Sequence, residues 1–227
     1  MPEQNPRHIL GRFDEALNTL RNDVLMMASL TEQLLVGAGR GLFDRDLDAC
    51  SNVIAEDAEV DTLEKSVDED GVNVIVRFQP MAKDLREVVA AMKVSSNLER
   101  VADQAVSIAR RARRLNQSPA LPETAGLEPM FRMAVEIFRA SVRSFADRDE
   151  ALARELKPRD RELDALHHRT IDELTDRMTA DTAHIREYLD LIFIARIIER
   201  IGDHATNIAE DAVFITTAED IRHIPQA

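Results

Sequence analysis

Among the acidic residues that stand four apart in this sequence are four pairs that could act together: Asp57/Asp61, Glu99/Asp103, Asp160/Asp164 and Glu199/Asp203. On an α-helix that spacing places both carboxylates on one face, about 6 Å apart along the axis. Two like charges so placed repel by roughly 0.2–0.5 kcal/mol unless something compensates. If neighbouring helices turn their pairs toward each other, four hard oxygen donors converge. That chemistry suits a divalent or trivalent metal ion, whose charge would cancel the repulsion. The bland alternative is a solvated face, because 42 acidic residues in 227 produce several such pairs by chance.

The pairs recur in register. NLERVADQAVSIA (97–109) returns as IIERIGDHATNIA (197–209), and a shift of 100 residues matches Arg86/Arg186, Glu87/Glu187, Glu99/Glu199, Arg100/Arg200, Asp103/Asp203, Ala105/Ala205, Ile108/Ile208, Ala109/Ala209 and Ala112/Ala212. A shift of 103 matches Asp44-Arg45-Asp46 with Asp147-Arg148-Asp149, and Asp57, Glu59, Asp61 and Leu63 with Asp160, Glu162, Asp164 and Leu166. Other surface positions differ, as at Gln104/His204 and Arg110/Glu210. A solvated face has no physical reason to hold identity, so the repeat favours cation binding by both sets. Duplicated packing accounts for part of the identity, and Arg100 and Arg200 are placed to neutralise nearby acids.

The elements that must position these acids are helices. Ile9, Phe13, Leu17, Leu20, Val24, Met27, Leu30 and Leu34 recur at helical spacing, so a first helix covers 8–36, with Gly37, Gly39 and Gly41 expected to end it. Asp44 or Asp46 caps a second helix that runs through Leu63; beyond it Val72–Val76 alternates like a strand but has no partner strand and is read as helix. Pro80 breaks the chain before a third helix over 81–115. NQSPALPETAGLEP (116–129) has linker chemistry, and helices over 130–146, 147–178 and 182–217 follow. Pro158 should kink or restart the fifth helix and leave the second acidic site less regular than the first. The expected architecture is all-α: two tandem, pseudo-symmetric three-helix bundles, residues 1–115 and 130–227, joined by the Pro-rich linker 116–129.

Bulk properties narrow the function. A formal charge of −13 disfavours nucleic acid, since phosphate binding needs clustered Lys and Arg. Cys50 is the lone cysteine, so a reducing compartment is expected, and it reads as a buried small residue rather than a nucleophile. The N-terminus carries charges where a signal peptide needs an apolar segment, and the longest apolar run near the end, Leu191–Ala195, falls far short of a membrane span of about twenty residues. A cytoplasmic protein follows. His167, His168 and His204 stand beside the acids, but Glu64 occupies the position matching His167, so an imidazole ligand is not obligatory. No Gly-rich phosphate loop, CxxC pair or Ser-His-Asp set points to a catalytic site.

The two ERxxD segments, the duplicated three-helix layout and FQPMAKDLR (78–86) together resemble the PhoU family over roughly residues 8–217. That resemblance implies a regulator of phosphate uptake and phosphate-starvation signalling, not an enzyme. It implies metal ions (iron, zinc, magnesium or manganese) on Asp57, Asp61, Glu99 and Asp103 in one half and on Asp160, Asp164, Glu199 and Asp203 in the other. It further implies a homodimer that acts between the ATPase subunit of a phosphate ABC transporter and a phosphate-sensing histidine kinase, holds starvation genes off when phosphate is plentiful, and meets the membrane only through those partners. Two departures stand out. His184-Ile185-Arg186 replaces Asp84-Leu85-Arg86, which implies that the halves meet different partner surfaces; Gly202 replaces Ala102; neither is expected to touch a ligand. The alternatives are a metal-free helical scaffold and a carboxylate dimetal oxidase, the latter disfavoured because the sequence has no Glu-x-x-His.

Overall fold

The computed structural model describes residues 6–221, with side chains from residue 11. The outermost parts of the expected units, and the Ile9 side chain, lie outside the described residues. Six long helices carry the structure: α1 (Pro6–Phe43), α2 (Leu47–Phe78), α3 (Lys83–Leu115), α4 (Glu128–Asp147), α5 (Glu150–Ala180) and α6 (Ile185–Thr217). Among the described residues there is no β-strand. The helices form two three-helix bundles, α1–α3 and α4–α6, so the all-α duplicated architecture holds.

Entry into the second helix of each bundle explains one stretch of the repeat. Arg45 and Arg148 both take left-handed backbone angles, φ 58° and 55°. The aspartate after each is an N-cap: Asp46 accepts from the Ala49 N–H at 2.8 Å and Asp149 from the Leu152 N–H at 3.0 Å. Such a cap contributes about 1 kcal/mol. The matched Asp-Arg-Asp triplets are therefore turn and cap devices with no part in the acidic site.

Two sequence expectations are corrected, and one is borne out. The glycines do not end α1, which continues to Phe43. A Cβ at Gly37 would lie 2.6 Å from Val53 Cγ2, at Gly39 2.7 Å from Phe131 Cε1, and at Gly41 2.5 Å from Cys50 Sγ. The run is a packing strip that lets α2 and α4 approach the α1 backbone, and this close contact outweighs the low helix propensity of glycine. The second helix runs through Leu63 and on to Phe78, so Val72–Val76 is helical as read, with Val67 and Val74 buried while Val72 and Val76 stay exposed. Finally, Pro158 does not restart the fifth helix, which is continuous from Glu150 to Ala180.

The two bundles meet through α3 and α6, which run antiparallel. The contacts Lys93–Asp211 (3.5 Å), His204–Asn97 (3.2 Å) and Arg111–Asp190 (2.7 Å) pair ascending positions on one helix with descending positions on the other. The matched Ala105/Ala205, Ile108/Ile208, Ala109/Ala209 and Ala112/Ala212 are all buried, so their identity reflects helix packing in the core. The segment 116–129 is more than a tether. It holds a 3-10 helix, Pro122–Leu127, whose last residue is fully buried, and α4 begins directly after it.

Candidate metal centre

In each bundle the middle and last helices lie side by side and turn the two acidic pairs toward one another. In the second bundle one carboxylate oxygen from each of Asp164, Glu199 and Asp203 lies within 4.8 Å of the others. Asp160, one turn before Asp164, sits deeper. Burial first, then Asp164 and Asp203, push its carboxyl up to about 7. Its Oδ1 is buried without a hydrogen-bond partner, as is the Oγ1 of the neighbouring Thr206, whose hydroxyl opposes the rise. His167, one turn beyond Asp164, also buries Nε2 without a partner, and burial holds its imidazole below the usual range. Burial and neighbouring carboxylates likewise raise Glu199 and Asp203. Arg200 makes no ion pair among the described residues; it acts on Glu199 and Asp203 only through its field.

The first cluster gathers the same four positions but is balanced differently. Asp57 is raised by burial and by Asp61 and Asp103. Glu99 is pushed up to about 7 by burial and Asp103, with further push from Glu64 and Asp61. Here an arginine intervenes: Arg100 Nε lies 3.3 Å from Glu99 Oε2, and Arg100 Nη1 lies 4.0 Å from Asp103. The Glu99 contact is close but lacks hydrogen-bond geometry, so that buried oxygen still has no hydrogen-bond partner. Among the described residues, no trio in this half matches the closeness of Asp164, Glu199 and Asp203. The expectation that Pro158 makes the second site the looser one is thus reversed. α5 stays continuous through the proline, and Arg200, the counterpart of Arg100, makes no ion pair among the described residues.

Two residues escaped the sequence reading as members of the clusters. Glu64, one turn after Asp61, is raised by burial and by Asp68 and sits within the field of Glu99; its match to His167 at the 103-residue shift is the signal that could have placed it. Gly202 is the second. A Cβ there would fall on Leu163 Cδ2 and 3.0 Å from Asp160 Oδ1, so, contrary to expectation, this departure from the first half does touch a candidate ligand. The missing methyl is what lets Asp160 reach in beside α6.

These sites suit a hard cation. The donors are carboxylate oxygens with one optional imidazole, and buried lone pairs on Asp160, Glu99 and His167 await a partner. Excess negative charge at close range is costly without a counterion, and a cation removes that cost.

The PhoU domain family model matches residues 24–112 and 127–212, one copy per bundle. A "Phosphate-specific transport system accessory protein PhoU homolog" of Xylella fastidiosa is 35% identical over 214 residues, covering 94% of this chain and 90% of that protein. The Rhizobium meliloti homologue of the same description is 35% identical over 211 residues, covering 92% and 89%. Among solved structures, PhoU from Pseudomonas aeruginosa superposes with a TM-score of 0.89 at 30% identity, covering 91% of this chain and all of that one. The Streptococcus pneumoniae phosphate transport system regulatory protein PhoU superposes at 0.84 with 21% identity, covering 92% and 99%, a likeness of fold.

Proposed function

Because this chain belongs to the PhoU family, we propose that it is a metal-binding, non-enzymatic regulator of phosphate transport, acting in the cytoplasm as an accessory to a phosphate-specific transporter. Its full-length relatives carry that accessory description, which supports the transport role. Among the described residues no helix is long and apolar enough to cross a membrane, which fits a protein that meets the membrane through partners. In this reading the chain contacts the transporter's ATPase subunit and a phosphate-sensing histidine kinase, works as a homodimer, and holds starvation genes off when phosphate is plentiful.

The observation that carries the metal reading is the duplicated convergence of carboxylates with orphaned buried oxygens. Asp160, Asp164, Glu199 and Asp203, with His167 at the edge, would hold one centre; Asp57, Asp61, Glu99 and Asp103, with Glu64 beside them, would hold the other. A bound ion supplies positive charge. The chain's own contribution is to hold the second and third helices of each bundle in register, so that acids from two rods face one another. Protons on Asp160 and Glu99 compete with the ion near neutrality, so its affinity rises with pH through about 7.

One observation favours a second reading for the first cluster. The Arg100 contacts with Glu99 and Asp103 make it partly self-neutralised, as in a metal-free scaffold. Elemental analysis of purified protein beside a variant carrying E99Q, D103N, E199Q and D203N separates the two. Metal in the wild type alone supports the metal centre; equal, near-zero metal in both refutes it. The regulatory half is tested by deleting the gene: unchanged starvation-gene expression in high phosphate would overturn it.

A further inference from the structure

A basic surface on this acidic chain borders the carboxylate clusters, with Arg110, Arg196 and Arg200 close enough for their fields to reach Asp57, Glu199 and Asp203. Positions 93, 97, 100, 104, 107, 111 and 114 of α3 share one helical face, as do 193, 197, 200, 204, 207, 211 and 214 of α6. The antiparallel packing sets these faces edge to edge. At one end they form an open groove of about 460 Å³ that Arg110, Arg111, Arg114, Arg196 and Arg200 line. Its floor is apolar: Ile197 is half-buried, and the Phe193 ring is 47% exposed. The Arg111 guanidinium stacks on that ring at 4.3 Å.

Duplication does not account for this patch. A shift of 100 residues carries Arg110 to Glu210, Arg111 to Asp211 and Arg114 to Phe214, and it relates Arg196 to Ser96. The opposite end of the same face is therefore mixed in charge, with Lys93 paired to Asp211 and Lys157 to Glu210. The five guanidiniums are also not consumed by ion pairs. Arg110, Arg196 and Arg200 make none among the described residues, and Arg111 and Arg114 share a single carboxylate, Asp190, at 2.7 and 2.5 Å.

We propose that this groove docks an acidic amphipathic helix of a partner protein, its carboxylates on the arginines and an apolar side chain against Phe193 and Ile197. Length favours this occupant over a small anion: Gln104 to Arg114 spans about 15 Å of helix axis, whereas one free phosphate engages only one or two guanidiniums. The solvent-exposed aromatic floor gives a helix an apolar anchor that inorganic phosphate cannot use. Asp190 already shows a carboxylate held by two of the five arginines. Finally, a net charge of −13 repels acidic partners everywhere else, so this patch would steer them to one orientation. The proposal rests on the regulatory reading above only in that a regulator without catalysis must act through docking.

The test is fluorescence anisotropy with full-length protein and a labelled synthetic helical peptide of about five turns, Glu-rich with Leu on one face. A version with Lys in place of Glu and inorganic phosphate serve as further probes. The paired variant R110Q/R196Q changes exposed residues only, and R132Q/R169Q removes the same charge elsewhere. We expect the acidic peptide to bind the wild type and R132Q/R169Q alike, and R110Q/R196Q about tenfold more weakly. Absence of peptide binding, equal weakening by both variants, or groove-dependent binding of phosphate without the peptide would each overturn the proposal. Its failure is separable from that of the regulatory role, which the deletion strain tests: binding without an expression phenotype sinks only the latter.

Discussion

Replacing Asp160 with Asn should have opposite effects with and without metal. In the folded, metal-free chain this carboxyl is raised from 3.8 to about 7, chiefly by burial and then by Asp164 and Asp203. The folded state therefore holds a proton that the unfolded state releases between pH 4 and 7, roughly, and stability falls as pH rises through that window. Above about 7 the penalty is complete. The shift corresponds to an upper bound of about 4 kcal/mol at 1.36 kcal/mol per unit, which partial exposure and relaxation of the coupled acids reduce to about 1–2 kcal/mol. D160N keeps the shape and removes the charge. In chelator at pH 8 it should stabilise the protein by that amount, raising Tm by about 2–4 °C per kcal/mol for a chain this size. At pH 4 the same variant should be nearly neutral. With manganese or zinc present at pH 8 the sign should reverse, because a ligand to the stabilising ion has been lost. Thermal unfolding followed by circular dichroism at the two pH values, with and without metal, measures all arms. Destabilisation of the chelated protein at pH 8 would refute the reasoning, since it would mean that the ionised carboxylate is already satisfied by the protein.

Other expectations follow from the same geometry. G202A should weaken cation binding in the second bundle several-fold by displacing Leu163 and Asp160, while its net stability cost stays at about 0–2 kcal/mol because alanine is the better helix former; titration calorimetry on this variant and unfolding curves read the two effects. R100Q removes the cation that competes in the first cluster, so metal affinity there should rise and Glu99 should move further above its ordinary value, observable by carboxyl NMR titration. G41A should cost about 1–3 kcal/mol by urea denaturation, since its methyl would lie 2.5 Å from the buried Cys50 sulfur. D190N should loosen the contact between the bundles, detectable as faster hydrogen exchange near the end of α3, because Arg111 and Arg114 lose their shared carboxylate.

The helical period and the two internal shifts place all eight acids in their helical register before any coordinates are seen, because residues four apart must share a helix face. The same reading narrows the α2 cap to Asp44 or Asp46, of which the structure uses Asp46, and gives the helical state of Val72–Val76, both fixed by local chemistry. It could not separate the causes of identity. Asp44-Arg45-Asp46 repeats to cap a turn, Ala105 and Ala109 repeat as buried packing residues, and Glu99 and Asp103 repeat within a cluster, yet all look alike in a shifted alignment. It also misjudged Gly37, Gly39 and Gly41, whose role depends on Val53, Phe131 and Cys50 arriving from other helices.

What the sequence determined by itself is periodic: which residues share a face, where helices begin, and that the unit occurs twice. Only the tertiary structure decided how those faces rotate against one another. That rotation makes Gly202 the opening for Asp160 and lines up five arginines across two helices. A local period specifies direction around one axis, whereas the distance between side chains on two axes depends on every residue packed between them.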